Sequence, residues 1–187
     1  MMILGNPKLI NTYNPSSVVE QEITSGLDST YSSYMFVFTD MHTQTDSKVI
    51  TFQAWNAAGV TPAYDTPTTT APCVAYNYEV APFSNNFDFE AGIKASSQTT
   101  MVEMHRRMGN ASDNCMAGIF ILINPASTTH DKYFYYNFNN TMDLGPATTQ
   151  TISQGQFQTT SAITKIRFST NGVTTLFDGT IQLYGVT

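Results

Sequence analysis

TKIRFSTNGVTTLFDGTIQLYGVT, residues 164–187, is the stretch that decides the fold class. Ile166 and Phe168 alternate with Lys165 and Arg167, and Ile181 and Leu183 alternate with Thr180, Gln182 and Tyr184. An apolar side chain at every second position is what a half-buried strand needs. Gly172 marks a loop between the two runs. The stretch therefore predicts a terminal hairpin, with this end of the sequence pinned inside a sheet.

The same grammar recurs upstream. Tyr31–Thr39 (YSSYMFVFT) places Tyr34, Phe36 and Phe38 on one face and Met35 and Val37 on the other, the pattern of a strand covered on both sides. A polar turn, Thr43–Ser47, leads into Lys48–Trp55 (KVITFQAW), and these two segments are expected to pair as a hairpin. Gly118–Asn124 and Lys132–Asn139 are strong strands joined by a turn at Pro125–Asp131, while Val18–Thr24, Val74–Val80, Phe87–Ala95 and Ile152–Phe157 are weaker. Gln98–Met108 fits a helical methionine stripe and a strand alternation equally well, and its strand-like neighbours favour the strand. About nine or ten short strands without a long amphipathic helix predict an all-β, antiparallel, jelly-roll-like β-sandwich. Residues 1–187 are expected to form one domain, with 1–17 as an extended lead-in and 57–72 as a long surface loop. That loop holds Gly59, Pro62, Pro67 and Pro72, a density that opposes helix and central strand alike.

Composition narrows the function classes. Only 12% of the 187 residues are charged, and the formal net charge is -6. Eight basic residues, with Arg106-Arg107 as the adjacent pair, cannot line a phosphate-tracking surface, so no nucleic-acid partner is expected. That pair reads as a solvated strand or loop edge. MMILGNPKLI lacks the charged start and apolar run of a signal peptide, and no segment has the length of a membrane span. The expectation is synthesis in a cytoplasm without membrane insertion. Cys73 and Cys115 follow no spacing rule, so their pairing stays open.

No catalytic, cofactor or metal constellation emerges. Asp88 and Glu90 would share one face of a strand, the arrangement a polysaccharide depolymerase could use, but they also suit a solvent face opposite Phe87 and Phe89. His42, His105 and His130 lack paired ligand spacing. The rich resource is aromatic: 12 Phe, 10 Tyr and Trp55. Tyr31, Tyr34, Tyr133, Tyr135 and Tyr136 fall in strong strands and default to core or subunit interface. Trp55, Tyr64, Tyr76 and Tyr78, in or beside the long loop, are the candidates for an exposed partner or glycan contact.

Four stretches carry a family likeness: Met2-Ile-Leu4, then Tyr31–Phe38 with Val49-Ile-Thr-Phe52, then Ile119–Ser127 before an aromatic strand, and finally Ile166-Arg-Phe168 with Gly179–Gly185. Together they resemble small virion proteins of tailed, marine-type bacteriophages. The resemblance implies a non-enzymatic capsid-decoration, spike or tail-fibre subunit, located in the virion. Its implied partners are other capsid or tail proteins and further copies of itself, with a trimer favoured, and a host-surface glycan. The proline-containing loop from Ala57 departs from the family pattern, and the matching positions are core and turn positions, so no functional residue carries over. A carbohydrate-binding module is the alternative reading.

Overall fold

The structure, a computed structural model, describes residues 5–55, 63–78, 85–90, 93–143, 147–171 and 174–187. Every regular element among them is a strand. In chain order these are β1 (Lys8–Tyr13), β2 (Glu20–Ile23), β3 (Ser33–Thr43), β4 (Ile50–Ala54), β5 (Thr68–Thr70), β6 (Cys73–Tyr78), β7 (Asn86–Phe89), β8 (Val102–Glu103), β9 (Met116–Ile123), β10 (Lys132–Thr141), β11 (Ala147–Phe157), β12 (Ile166–Thr170) and β13 (Phe177–Val186). They build two antiparallel sheets. The nine-stranded sheet runs β1-β13-β3-β9-β10-β11-β6-β7, with β5 also on β11, and the four-stranded sheet runs β2-β12-β4-β8.

Aromatic rings join the two sheets. Phe36, Phe38, Phe120, Phe134 and Phe138 point inward from the large sheet, and Phe52 and Phe168 meet them from the small one, all fully buried. The contacts are edge-to-face, with Phe38–Phe168 at 5.0 Å, Phe52–Phe120 at 5.1 Å and Phe52–Phe134 at 5.2 Å. Each buried ring contributes about 1.5–3 kcal/mol through burial, and each such pair roughly 0.5–1.5 kcal/mol more.

The all-β sandwich agrees with the sequence reading, but two expected hairpins do not form. β3 pairs β13 and β9 in the large sheet, whereas β4 pairs β12 and β8 in the small one. The terminal pair separates likewise: β12 lies between β2 and β4, and β13 between β1 and β3. Alternation dictates that Ile166, Phe168, Ile181 and Leu183 face the core. It is silent on which side of the core each strand occupies, because both sheets present their apolar faces to the same interior. The pairing of β9 with β10 is as expected.

Two further segments differ from expectation, and a third takes the strand alternative that the sequence favoured. Within the lead-in, Lys8–Tyr13 is an edge strand on β13. Part of the expected surface loop is interior: Thr66 and Thr68 are fully buried, and β5 pairs Thr68–Thr70 with β11. The threonine hydroxyls find acceptors there, Thr66 Oγ1 donating to the Ala54 carbonyl (3.0 Å) and Thr68 Oγ1 to the Thr66 carbonyl (2.8 Å). Residues 57–62 lie outside the described residues. Gln98–Met108 is extended, not helical, with a strand only at Val102–Glu103 and isolated bridges at Gln98 and Met108. Cys73 and Cys115 are free thiols.

Candidate functional site

The four aromatic candidates divide into two pairs at different places. Trp55 follows the buried Ala54 and so points away from the core, on the outer face of the small sheet. Lys165, just before β12, and Arg167 within it alternate with the buried Ile166 and Phe168 and so share that face. Lys165 Nζ sits 4.5 Å from the centre of the Trp55 ring, Tyr64 meets Trp55 edge-on at 5.1 Å, and the Arg167 guanidinium lies 4.5 Å over Tyr64. Arg167 Nη1 also donates to Glu20 Oε2 at 3.0 Å. Burial, with Glu22 nearby, raises the Tyr64 phenol above its ordinary range. A cation covers a face of each ring, so this ladder consolidates the small sheet's outer surface and does not offer a free platform.

Tyr76 and Tyr78 belong to the large sheet. In β6 the inward side begins with Val74, which is fully buried, and period two places both tyrosines on that side. The register sets Asn86 opposite Tyr76 and Asp88 opposite Val74, so their side chains stand on the same side. This end of the nine-stranded sheet carries a cleft of about 590 Å³ on that side, to which Arg106, just after β8, also contributes. The two tyrosine rings are stacked, with centroids 6.2 Å apart and 7° between their planes. Tyr76 Oη donates to Glu90 Oε2 at 2.7 Å, and Arg106 Nε lies 3.7 Å from that same oxygen. Burial first, then the bond to Glu90, pushes the Tyr76 phenol up to about 12. Asn86 Nδ2 donates to Asp88 Oδ2 at 2.7 Å, and Met142 completes the lining.

Arg106 is thus half-buried in the cleft, not part of a solvated edge as its sequence position suggested; Arg107 is exposed. No local signal in the sequence points to Arg106 or Met142, since the two lie far apart in the chain and meet only through the bridge of Met108 to Met142. Asp88 and Glu90 do line one cleft together, as their spacing foretold. Among the described residues, no group of three or more His, Cys, Asp or Glu is placed to hold a metal ion. His42 Nδ1 is 2.8 Å from the Asn114 carbonyl, and His130 is exposed in a turn.

A third surface is the outer face of the nine-stranded sheet. One row across it reads Leu9, Tyr184, Met35, Ile121, Tyr135, and the next reads Gln182, Val37, Ile119, Asn137, Ile152, Cys73, Phe89. Met35, Ile121 and Val186 form a cluster of their own, covered by Val37, Ile119, Tyr135 and Tyr184. Beside it, Ile123 and Tyr133 are exposed (39% and 57%) and border a groove of about 440 Å³. Phe87 and Phe89 extend the apolar character to the β7 edge, at 63% and 56% exposure.

No family model, curated protein or solved structure matches this chain.

Proposed function

We propose that the chain is a non-enzymatic structural subunit of a bacteriophage virion, a jelly-roll-like sandwich that assembles with symmetric neighbours as a capsid decoration, spike or tail-fibre component. The observation that carries this reading is the outer face of the nine-stranded sheet. An antiparallel sheet that faces only water alternates apolar-in with polar-out. Here the outward rows carry Leu9, Met35, Val37, Ile119, Ile121, Ile123, Tyr133, Tyr135 and Tyr184 instead. Aromatic and aliphatic side chains with few charges are the composition of a subunit interface core. The occupant is a second copy of this chain, because the face is continuous with β1 and β7, the two edges of one sheet, and assembled edges shield each other from uncontrolled pairing.

Light scattering coupled to size exclusion tests this. The expected result is a homo-oligomer, with a trimer favoured, that dissociates when Ile123 and Tyr133 are both changed to Lys while the melting profile keeps one cooperative transition. A wild-type chain that stays monomeric at high concentration, and that mass spectrometry does not find in purified virions, sinks the proposal.

A carbohydrate-binding module is the second reading, and the tyrosine cleft is the observation that favours it.

A further inference from the structure

We propose that the tyrosine cleft of β6 and β7 binds an uncharged pyranose unit of a surface glycan, an inference that rests on the carbohydrate-binding reading and is independent of assembly. Three features of the cleft converge on that ligand. Its apolar component is a pair of parallel tyrosine rings, and the C–H face of a pyranose packs on a flat ring of that kind. Its polar component mixes signs and roles. The carboxylates of Asp88 and Glu90 accept from sugar hydroxyls, the Arg106 guanidinium donates to them, and the Asn86 amide does either. Its size, about 590 Å³, falls within the range of small-ligand sites and fits one or two sugar rings.

Charge selects among sugars. Among the described lining residues, two carboxylates against one guanidinium leave an excess of one negative charge, on a chain whose formal net charge is -6. Sialic and uronic acids and phosphorylated sugars meet like charge here, and a neutral hexose or N-acetylhexosamine does not. The polar groups are also held ready. Tyr76 Oη fixes Glu90, Glu90 lies beside Arg106, and Asn86 fixes Asp88, so little side-chain freedom is lost on binding.

The cleft lies on the side of β6 that carries the buried Val74, whereas the proposed assembly surface is the opposite side of the same sheet. Glycan binding and subunit contact can therefore coexist, and a variant in one leaves the other in place.

The experiment is a glycan array of neutral and acidic oligosaccharides, probed with the full chain, followed by titration of whichever neutral oligosaccharide binds. Four variants are compared: Tyr78→Ala, Tyr78→Phe, Glu90→Gln and Trp55→Ala. Thermal melts confirm that each is folded, and light scattering confirms its oligomeric state. The expected result is binding to neutral glycans, a loss of about tenfold or more in Tyr78→Ala, retention in Tyr78→Phe, weakening in Glu90→Gln, and no change in Trp55→Ala. Neutral-glycan binding that survives Tyr78→Ala and Glu90→Gln overturns the cleft while leaving the carbohydrate reading intact. Absence of any glycan binding overturns both. Binding confined to acidic glycans overturns the ligand class.

Discussion

At the residue scale the most consequential buried group is His105. It is fully buried, its Nε2 accepts the Ile50 N–H at 2.8 Å, and its Nδ1–H donates to the Arg106 carbonyl. That pair of bonds requires the neutral ring, and burial lowers its pKa to about 4. Because the folded value lies below the unfolded one, near 6.5, the unfolded chain takes up the proton first as pH falls. The contribution of His105 is complete above about pH 6.5, declines through the window down to pH 4, and is level below it. The expected loss is on the order of 3 kcal/mol. Urea titrations at steps between pH 7.5 and 4 will show this slope, and the His105→Gln variant is expected to lose that part of it; equal slopes would refute the assignment. The sequence offered His105 only as a metal candidate without spacing. Its role as an acceptor for a backbone donor depends on β4 passing beside it, a contact between residues far apart in the chain.

At the element scale, β3 shows how one residue resets a pattern. Tyr34, Phe36 and Phe38 face the core in step with the strand period, yet so does Met41, three positions after Phe38. Asp40, with φ of 50°, inserts the extra residue, and the register shifts against both neighbours at the same point. Opposite it, Gly179 adopts φ of 139°, and a Cβ there would come within 2.8 Å of the Met41 Cα. Gly179→Ala is expected to destabilise the chain by about 1–3 kcal/mol, read as a lower urea midpoint; an unchanged midpoint would show that the bulge relaxes freely. Strand existence in β3, β9, β10 and β13 was legible because β10 and β13 alternate in sequence and β3 and β9 carry strand-length apolar runs. β5 was not, because Thr68–Thr70 lacks any apolar side chain and its burial depends on hydroxyls that find acceptors only in the assembled fold. Lys132 escaped notice for the same reason: it is buried, and its Nζ donates to the carbonyls of His130 (2.9 Å) and Thr159 (3.0 Å).

At the scale of the whole molecule, stability depends on the rings that bridge the two sheets. Phe52, in the small sheet, touches Phe120, Phe134, Tyr136 and Phe157 of the large one. Phe52→Ala leaves a cavity that neither sheet alone can close, so an expected loss of about 3–5 kcal/mol follows. Calorimetry that finds a melting temperature near the wild-type value would mean that the sheets repack around the gap. The sequence by itself determined the all-β class, the core-facing side of β12 and β13 and the shared side of Asp88 and Glu90, since all three follow from the two-residue period of an extended chain. It also singled out Tyr76 and Tyr78, because aromatic side chains are conspicuous. Only the tertiary structure decided which sheet each strand joins, since an inward-facing pattern reads the same from either side of the core. The tertiary structure alone also decided that Trp55 and Tyr64 are covered by Lys165 and Arg167, and that Arg106 completes the tyrosine cleft. Those contacts join residues brought together by the packing of the strands, a property that belongs to no local stretch of the chain.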